Sequence, residues 1–549
     1  MRKGFSIEVY DQNIVYNCRF NEGVFDNVVI DDLQYFIALE GVILNKKKLL
    51  QEYAGKDFNS LMLLLYQKEK QNVFALLEGE FSGFLVDKNS RKVSVFTNVT
   101  STQKVFYYHS PKLFLAETSI KALTEKLKEY NITFSLDITS IYEILALTNV
   151  LENKTPIEKI YKINDACFIE INISDHSFFE KKYYEIETVR FNKNLKTALS
   201  ITDEVFSASV LLEYQKDDEL QKEHFSLLSG GLDSRMALLY AHKLNQKPKN
   251  VFCFSQSKYL DERISRKIAQ EYHLDYQFVK LDGGKFLKNI DRLVSLSEGM
   301  VLYTGAIHAD YAMGEVEPRN LGLIHSGQIG DGVLGGFNTV PYGQSPKDNK
   351  IVVNRYFLPK ISGNLQKIMA NYEREELFYL RNIAFNRAVL GAQVFQQFSY
   401  QTSPFMTKDF MSFAVSLPEE WKYNQHFYLD WVRHYCPEAA DFTWERTMMK
   451  PNAKWKTKIG DHIYKRSFNI FYNKILGKEN KISMYPYQYY FSNDKEIQQF
   501  YDQYLSENIH YLDGYKDLKQ DILALYHKKN FFSKSNAINV IAIIKYYFS

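Results

Sequence analysis

The stretch Phe225 to Leu239, FSLLSGGLDSRMALL, constrains this chain more than any other. Phe225, Leu227 and Leu228 make a short apolar run of buried-strand type. Ser229, Gly230 and Gly231 break it, Asp233 and Ser234 stand where a helix N-cap belongs, and Met236 to Tyr240 continue as a helix. A strand, a glycine turn and a helix start, in that order, aim unpaired N–H groups and the positive end of a helix dipole at one point. The glycines let the backbone come close to a ligand there. A pyrophosphate suits such a turn, and Asp233 adds a carboxylate able to hold Mg²⁺ on the phosphates. The Walker pattern, with its Gly-Lys-Ser/Thr, is a different string. An isolated Ser-Gly-Gly reads as a tight turn before a capped helix; the complete Ser-Gly-Gly-Leu-Asp-Ser is much more specific.

The surroundings set the fold class. A helix over Thr197–Leu212, with Thr197 as its cap, leads to the loop; strands follow at Val251–Ser255, Tyr276–Leu281 and Leu321–His325, with a helix over Leu260–His273. Strands alternating with helices predict a parallel, doubly wound α/β sheet whose ligands lie at the carboxyl ends of the strands. Beyond about residue 340 the pattern is largely helical. Residues 1 to about 125 read mainly as strands, with runs at Phe81–Val86, Val93–Thr97 and Lys112–Ala116 and helices at Asn59–Gln67 and Thr118–Leu127. A helix over Thr139–Thr148 and a strand over Ala166–Ile173 follow. Polar stretches near 174–182 and 190–196 place a boundary before residue 200, giving two domains, 1–190 and 195–549.

With 549 residues and a net charge of +3, spread without a cationic run, the chain shows no preference for nucleic acid or membranes. Cys18, Cys167, Cys253 and Cys436 lack metal spacing and fit a reducing, cytoplasmic setting. The segment MRKGFSIEVYDQ has no long apolar stretch of signal-peptide type, and Ile538–Ile544 is too short to span a bilayer.

Several stretches, in order, resemble one family. SGGLDS at 229–234 looks like the pyrophosphate loop of ATP pyrophosphatases. LDERISRKIAQEYHLDYQFVKL from 260, HSGQIGDGVLGG at 325–336 and TSPFMTKDFMSFAVSLPEEWK at 402–422 resemble later segments of asparagine synthetase and its relatives, β-lactam synthetase and the lasso-peptide cyclases. Gln328, Gly332 and Thr407 depart from residues usual in that family. LEGEFSGFLVD (77–87), KVFYY (104–108) and FLAETSIKAL (114–123) resemble a class II glutamine amidotransferase domain, an α+β sandwich of the N-terminal-nucleophile type. Working members of that class carry a cysteine at position 2, where this chain has Arg2; their Asn-Gly oxyanion element stands here as Glu40-Gly41. A carboxylate there repels a developing oxyanion and no thiolate is present, so the first domain is read as a degenerate scaffold without glutaminase activity.

The resemblance implies an ATP-dependent ligase: a carboxylate attacks the α-phosphate, pyrophosphate leaves, and ammonia or another amine displaces AMP to form an amide. It assigns ATP and pyrophosphate to Ser229, Gly230, Gly231, Leu232, Asp233, Ser234, Ser255 and Gly327, and Mg²⁺ to Asp233, with Asp331 or Asp261 as helpers. Glu298 stands near the family's active-site glutamate, which implies a catalytic role in orienting the amine or accepting its proton; read without the resemblance it is an exposed acid at a helix end. The second metal carboxylate, three residues on, is Val301 here. The family's catalytic lysine lies in a mobile loop that reads WERTMMKPNAKWKTK here, 444–458, where Lys450 is the first choice, then Lys454 and Arg446. His308 and His325 are read as structural. The partners implied are a small-molecule or peptide carboxylate and an amine, with a homodimer allowed. A catalytically inactive homologue, or a synthetase acting on a peptide or glycan precursor, is the alternative.

Overall fold

The computed structural model describes residues 4–20, 25–186, 189–316, 320–460 and 483–549. The chain forms two compact units. Met1–Ile186 make the first, together with the short segments Val353–Ile361 and Arg381–Leu390 from the second half of the sequence; the remaining residues make the second.

The first unit is built on two antiparallel sheets. β1 (Phe5–Tyr10), β2 (Asn13–Cys18), β7 (Phe106–Ser110), β8 (Leu113–Glu117) and β9 (Ile160–Lys162) form one, in the order β2-β1-β8-β7-β9. β3 (Val28–Asp31), β4 (Tyr35–Ile43), β5 (Gly79–Asp87), β6 (Lys92–Thr97), β10 (Cys167–Asn172) and β11 (Phe178–Lys182) form the other, in the order β11-β10-β6-β5-β4-β3. The strand period of two decides the layering. On β4, Phe36 and Ala38 join Phe5, Ile7, Val9, Phe84, Val93 and Phe114 in a core shared by strands of both sheets. Ile37 and Leu39, pointing the other way, pack with Leu61, Leu65 and Phe74 from α2 (Phe58–Glu69) and α3 (Val73–Leu76), next to α1 (Lys46–Glu52). Both faces of this sheet are therefore covered, which is why its strands read as near-continuous apolar runs. α4 (Ile120–Glu129) packs on β7 and β8, and α5 (Ile138–Leu147) follows. Their caps are Ser119 and Asp137, one and two residues away from the Thr118 and Thr139 starts expected above, because these side chains accept the backbone N–H three residues on.

Glu40 and Gly41 lie inside β4, opposite Ser82 and Phe81. Gly41 has φ +150°, and a Cβ there would lie 2.2 Å from the Glu80 carbonyl oxygen, so close strand approach alone requires this glycine. Cys18 is half-buried at the edge of the inter-sheet core. Arg2 lies outside the described residues.

The second unit holds a five-stranded sheet, β12 (Glu223–Leu227), β13 (Asn250–Ser255), β14 (Asp275–Lys280), β15 (Leu321–His325) and β16 (Gln401–Thr402), in the order β14-β13-β12-β15-β16 with every pairing parallel. β12 is central. The chain builds outward to β13 and β14, then returns to place β15 on its other flank. The strand order thus reverses between β12 and β15, and the crevice of such a sheet opens there. α6 (Leu195–Leu220), capped by Asn194 instead of Thr197 and running eight residues beyond the expected end at Leu212, precedes β12. α7 (Leu232–Lys243) and α8 (Leu260–Glu271) follow β12 and β13. The terminal helix Phe531–Phe548 is buried along Ser535–Ile544, which explains its run of apolar residues as core. Among the described residues no helix is long and apolar enough to cross a membrane.

Substituting Gly41→Ala should destabilise the first unit by about 1–3 kcal/mol from backbone strain alone, and more from the clash. Urea unfolding followed by tryptophan-independent circular dichroism checks this, and an unchanged midpoint would refute the close-approach argument.

Candidate functional site

The glycine turn closes β12 and opens α7, but the helix begins earlier than the sequence pattern indicates. Gly231, with extended backbone (φ −71°, ψ 167°), occupies the N-cap position, so Asp233 and Ser234 lie inside the first helical turn instead of capping it. The hydroxyl of Ser229 does the local work of a cap: it accepts the Gly231 N–H at 3.2 Å and meets Ser234 Oγ at 3.0 Å, while the Ser229 N–H donates to Ser234 Oγ at 3.1 Å. Asp233 therefore places its carboxylate at the positive end of α7. Gly230 donates its N–H to Asp261 Oδ1 at 2.7 Å, and its carbonyl accepts from the Glu445 N–H at 3.1 Å and Arg235 Nη2 at 3.0 Å. Arg235 is fully buried and also donates to the carbonyls of Ala439 (2.8 Å), Phe442 (3.2 Å) and Thr443 (2.7 Å). Burial pushes its guanidinium down to about 10.

A second glycine loop, after β15, meets the first. The Asp331 N–H donates to Asp233 Oδ2 at 2.9 Å, and the Tyr428 hydroxyl donates to Asp233 Oδ1 at 2.8 Å. A Cβ on Gly327 would lie 2.2 Å from the Asp233 carbonyl carbon and the Ser234 nitrogen; one on Gly330 would lie 2.9 Å from Asp233 Cγ. The loops are in backbone contact, and only glycine fits at both places. Burial, then the facing Asp331, hold the Asp233 carboxyl above the ordinary carboxylate range. Asp331 is also held up, by burial first, and drawn back by Arg446 and Lys350. The facing Asp331 charge thus adds to burial in raising Asp233, which is half-buried, beside an Asp331 that keeps exposed surface. Gln425 connects the pair to Arg446: its Nε2 donates to Asp331 Oδ2 at 3.4 Å and its Oε1 accepts from Arg446 Nη1. Lys350 rests over the rings of Phe337 and Tyr379, 5.9 and 5.8 Å from their centroids.

Two hard oxygen donors, one raising the other's pKa, at a helix N-terminus and under nearby cations, suit a divalent ion carrying phosphates. Asp233 and Asp331 therefore fit Mg²⁺. Asp261 faces Gly230 instead.

The other residues singled out in the sequence are dispersed. Ser255 ends β13, buried, with its hydroxyl on the Gln256 carbonyl at 3.0 Å; Leu232 is buried in α7. Glu298 is buried with left-handed backbone (φ 51°), and the Tyr547 hydroxyl of the terminal helix donates to its carbonyl at 2.7 Å and its carboxylate at 3.4 Å. The exposed helix-end reading of Glu298 does not describe it. Val301 is buried, and Thr407 is a buried cap position bonded to Ser209 Oγ at 2.7 Å. The segment expected to be a mobile loop is a compact turn at its start, where Trp444 and Met449 bridge and the Met448 N–H donates to the Trp444 carbonyl at 2.7 Å. Lys450 follows it, exposed, without a hydrogen bond or ion pair among the described residues. Lys454 pairs with Asp430 at 2.9 Å. Arg446 is the one of the three that faces Asp331. Tyr428, Gln425, Lys350 and Arg235 escaped the sequence reading. Arg235 alone carried a signal there, a cation on the buried face of a helix inside the motif.

Residues 219–395 match the family model described as asparagine synthase. The chain carries an asparagine synthase domain. That domain takes in both glycine loops, and with them Asp233 and Asp331. No curated protein matches the chain. Among solved structures it is similar to "glutamine phosphoribosylpyrophosphate (PRPP) amidotransferase from B. subtilis complexed with ADP and GMP", at 9% identity and a TM-score of 0.23, over 50% of this chain and 59% of that one. A second, "structure of the allosteric regulatory enzyme of purine biosynthesis", has 9% identity and a TM-score of 0.23, over 50% of this chain and 74% of that one. The chain thus spans less than two thirds of the first.

Asp261 yields a pH prediction. Burial raises its carboxyl to about 6, so the ionised form is disfavoured in the folded state relative to the unfolded one. Stability should fall as pH rises from about 4 to above 6, by roughly 2–3 kcal/mol. Asp261→Asn keeps an acceptor for the Gly230 N–H and removes the charge, so it should stabilise the asparagine synthase domain more at pH 7.5 than at pH 5. Equal shifts in Tm at the two pH values would contradict this.

Proposed function

We propose that the chain is an ATP-dependent amide-forming ligase that adenylates a carboxylate and transfers an amine to it, releasing AMP and pyrophosphate. The observation that carries this reading is the backbone contact between the two glycine loops at the switch point of the sheet, which brings Asp233 and Asp331 together at the N-terminus of α7. The asparagine synthase match supports ATP-dependent amidation in general.

On this reading the N–H groups of the α7 start and the Ser229 and Ser234 hydroxyls bind the phosphates. Asp233 and Asp331 hold Mg²⁺, which when bound neutralises phosphate charge and the leaving pyrophosphate. Asp261 holds the Gly230 peptide and so fixes the curvature of the turn. Arg446 and Lys350 supply positive charge beside Asp331, and Lys450, exposed and unpaired among the described residues, is the cation able to swing over the α-phosphate. Glu298 has a positioning role through the terminal helix and Tyr547. The amine is free ammonia or another nucleophile, because Glu40 replaces the oxyanion-polarising residue of the amidotransferase class in the first unit. An inactive homologue is the competing reading. The Asp233–Asp331 pair weighs against it, since two carboxylates that repel one another cost stability without a cation to hold.

ATP–pyrophosphate exchange in the presence of candidate carboxylates, followed by AMP release on adding ammonia, is the direct test. Asp233→Asn, which keeps its shape and its Tyr428 partner, should lower AMP formation at least about 100-fold, equivalent to several kcal/mol of lost metal stabilisation; near-normal turnover would refute the role.

In single-turnover adenylation, Lys450→Ala should lower the rate much more than it weakens ATP binding, while Lys454→Ala should do neither. A rate that survives Lys450→Ala but not Arg446→Ala assigns the catalytic charge to Arg446. Glutamate release from glutamine, assayed with ATP and acyl substrates present, is expected to stay at background.

A further inference from the structure

Beneath the second glycine loop, and with no part in the chemistry above, three metal-ligating side chains converge. Asp217 comes from the C-terminal end of α6, His224 from the start of β12 and His325 from the end of β15. One ligand atom from each lies within 4.8 Å of the others. His325 Nε2 is 2.7 Å and His224 Nδ1 is 3.0 Å from the same Asp217 oxygen, Oδ2. Asp217 and His325 are sealed from solvent, while His224 keeps 11% of its side chain exposed, which leaves a way in.

We propose that Asp217, His224 and His325 form a binding site for a divalent transition metal, zinc before others, that clips α6 to β12 and β15. The proposal rests first on the outer contacts of the three ligands. A ligating imidazole nearly always turns its other nitrogen to a carboxylate or carbonyl, which fixes the tautomer and the ring. Both histidines here do so: His325 Nδ1 faces Glu213 Oε2 at 3.4 Å, and His224 Nε2 faces Asp218 Oδ1 at 3.6 Å. The second oxygen of Asp217 accepts the Leu323 N–H at 2.7 Å, leaving Oδ2 for the shared point. A Cβ on Gly322 would lie 2.4 Å from Asp217 Oδ1, so β15 uses a glycine where the carboxylate enters. The Tyr214 ring stacks on His325, with centroids 3.9 Å apart and planes 9° apart, and its hydroxyl is tied to Ser226 Oγ at 2.9 Å.

The ligand spacing agrees. With metal–ligand bonds of roughly 2.0–2.1 Å, neighbouring atoms of a tetrahedral site stand about 3.3 Å apart. The 2.7 Å and 3.0 Å pairs would open by about 0.6 and 0.3 Å while the shared protons leave, and the two imidazole nitrogens, which already lie within 4.8 Å of one another, would draw toward the same spacing. Two imidazole nitrogens and one carboxylate oxygen suit zinc, cobalt or nickel better than magnesium or calcium. The ligands come from three elements distant in sequence, so a bound metal would cross-link the helix before the first glycine loop to the strand before the second.

The test uses the full chain without an affinity tag, stripped with chelator, dialysed against Zn(II) and gel-filtered. Metal analysis should return about one zinc per wild-type chain and a loss of most of it in His224→Gln, a variant that keeps a donor to Asp217. The same protein loaded with Co(II) should show the intense visible bands of a four-coordinate ion, absent from the variant. Equal zinc in both proteins, or a Co(II) spectrum of the hydrated ion, overturns the proposal and leaves a hydrogen-bonded cluster only. Should His224→Gln fail to fold, the Co(II) spectrum of the native chain decides.

Discussion

The loop end of the second unit hangs on one buried cation. Arg235 sits in the first turns of α7 with no exposed surface and turns both terminal nitrogens onto carbonyls, three from Ala439, Phe442 and Thr443 and one from Gly230, while its Nε has no hydrogen-bond partner among the described residues. A guanidinium withdrawn from water is costly unless most of its donors meet well-placed acceptors. Here the acceptors belong to two distant stretches, so satisfying the charge forces the glycine turn and the 439–443 segment into register. The Glu445 N–H adds a further bond to the Gly230 carbonyl. Helix, turn and the stretch that carries Arg446 and Lys450 are thus placed by the same side chain.

Around that anchor the sheet topology brings the opposing charges together. Because the strand order reverses between β12 and β15, the loops that leave these neighbouring strands share one crevice. Asp233 arrives on one loop and Asp331 on the other. Their repulsion is a local instability set into a scaffold that is otherwise well paired, and the cations Arg446 and Lys350 offset it only from the Asp331 side. On the proposed function, a bound cation would relieve this repulsion.

Much of this was legible in the sequence because glycine and periodicity are local signals. SGGLDS announced the strand, turn and helix, and the alternation of apolar runs gave the parallel sheet. Gly327 and Asp331 stood in the second loop. The failures are also instructive. Asp233 looks like a cap, yet the serine hydroxyls at 229 and 234 bond the turn first and the helix starts two residues earlier. Glu298 looks like an exposed acid at a helix end, but the terminal helix, some 250 positions on in sequence, covers it. Tyr428, Gln425 and Lys350 left no trace, since what recruits them is proximity across the fold and not the residues beside them in the chain.

Gly327 has a consequence for how this protein can change over time. Its backbone rests against the Asp233–Ser234 peptide with no room for a methyl group. A side chain there could be accepted only if the opposing loop withdrew, and that loop is pinned by Arg235 and Asp261. Drift at position 327 would therefore need several simultaneous substitutions, each harmful by itself, and selection rarely crosses such a gap. The exposed stretch around Lys450 carries no such interlock. Mutational tolerance should accordingly be steeply uneven across a few ångströms, with an inherited cradle that is frozen and a rim that is free to be rewritten.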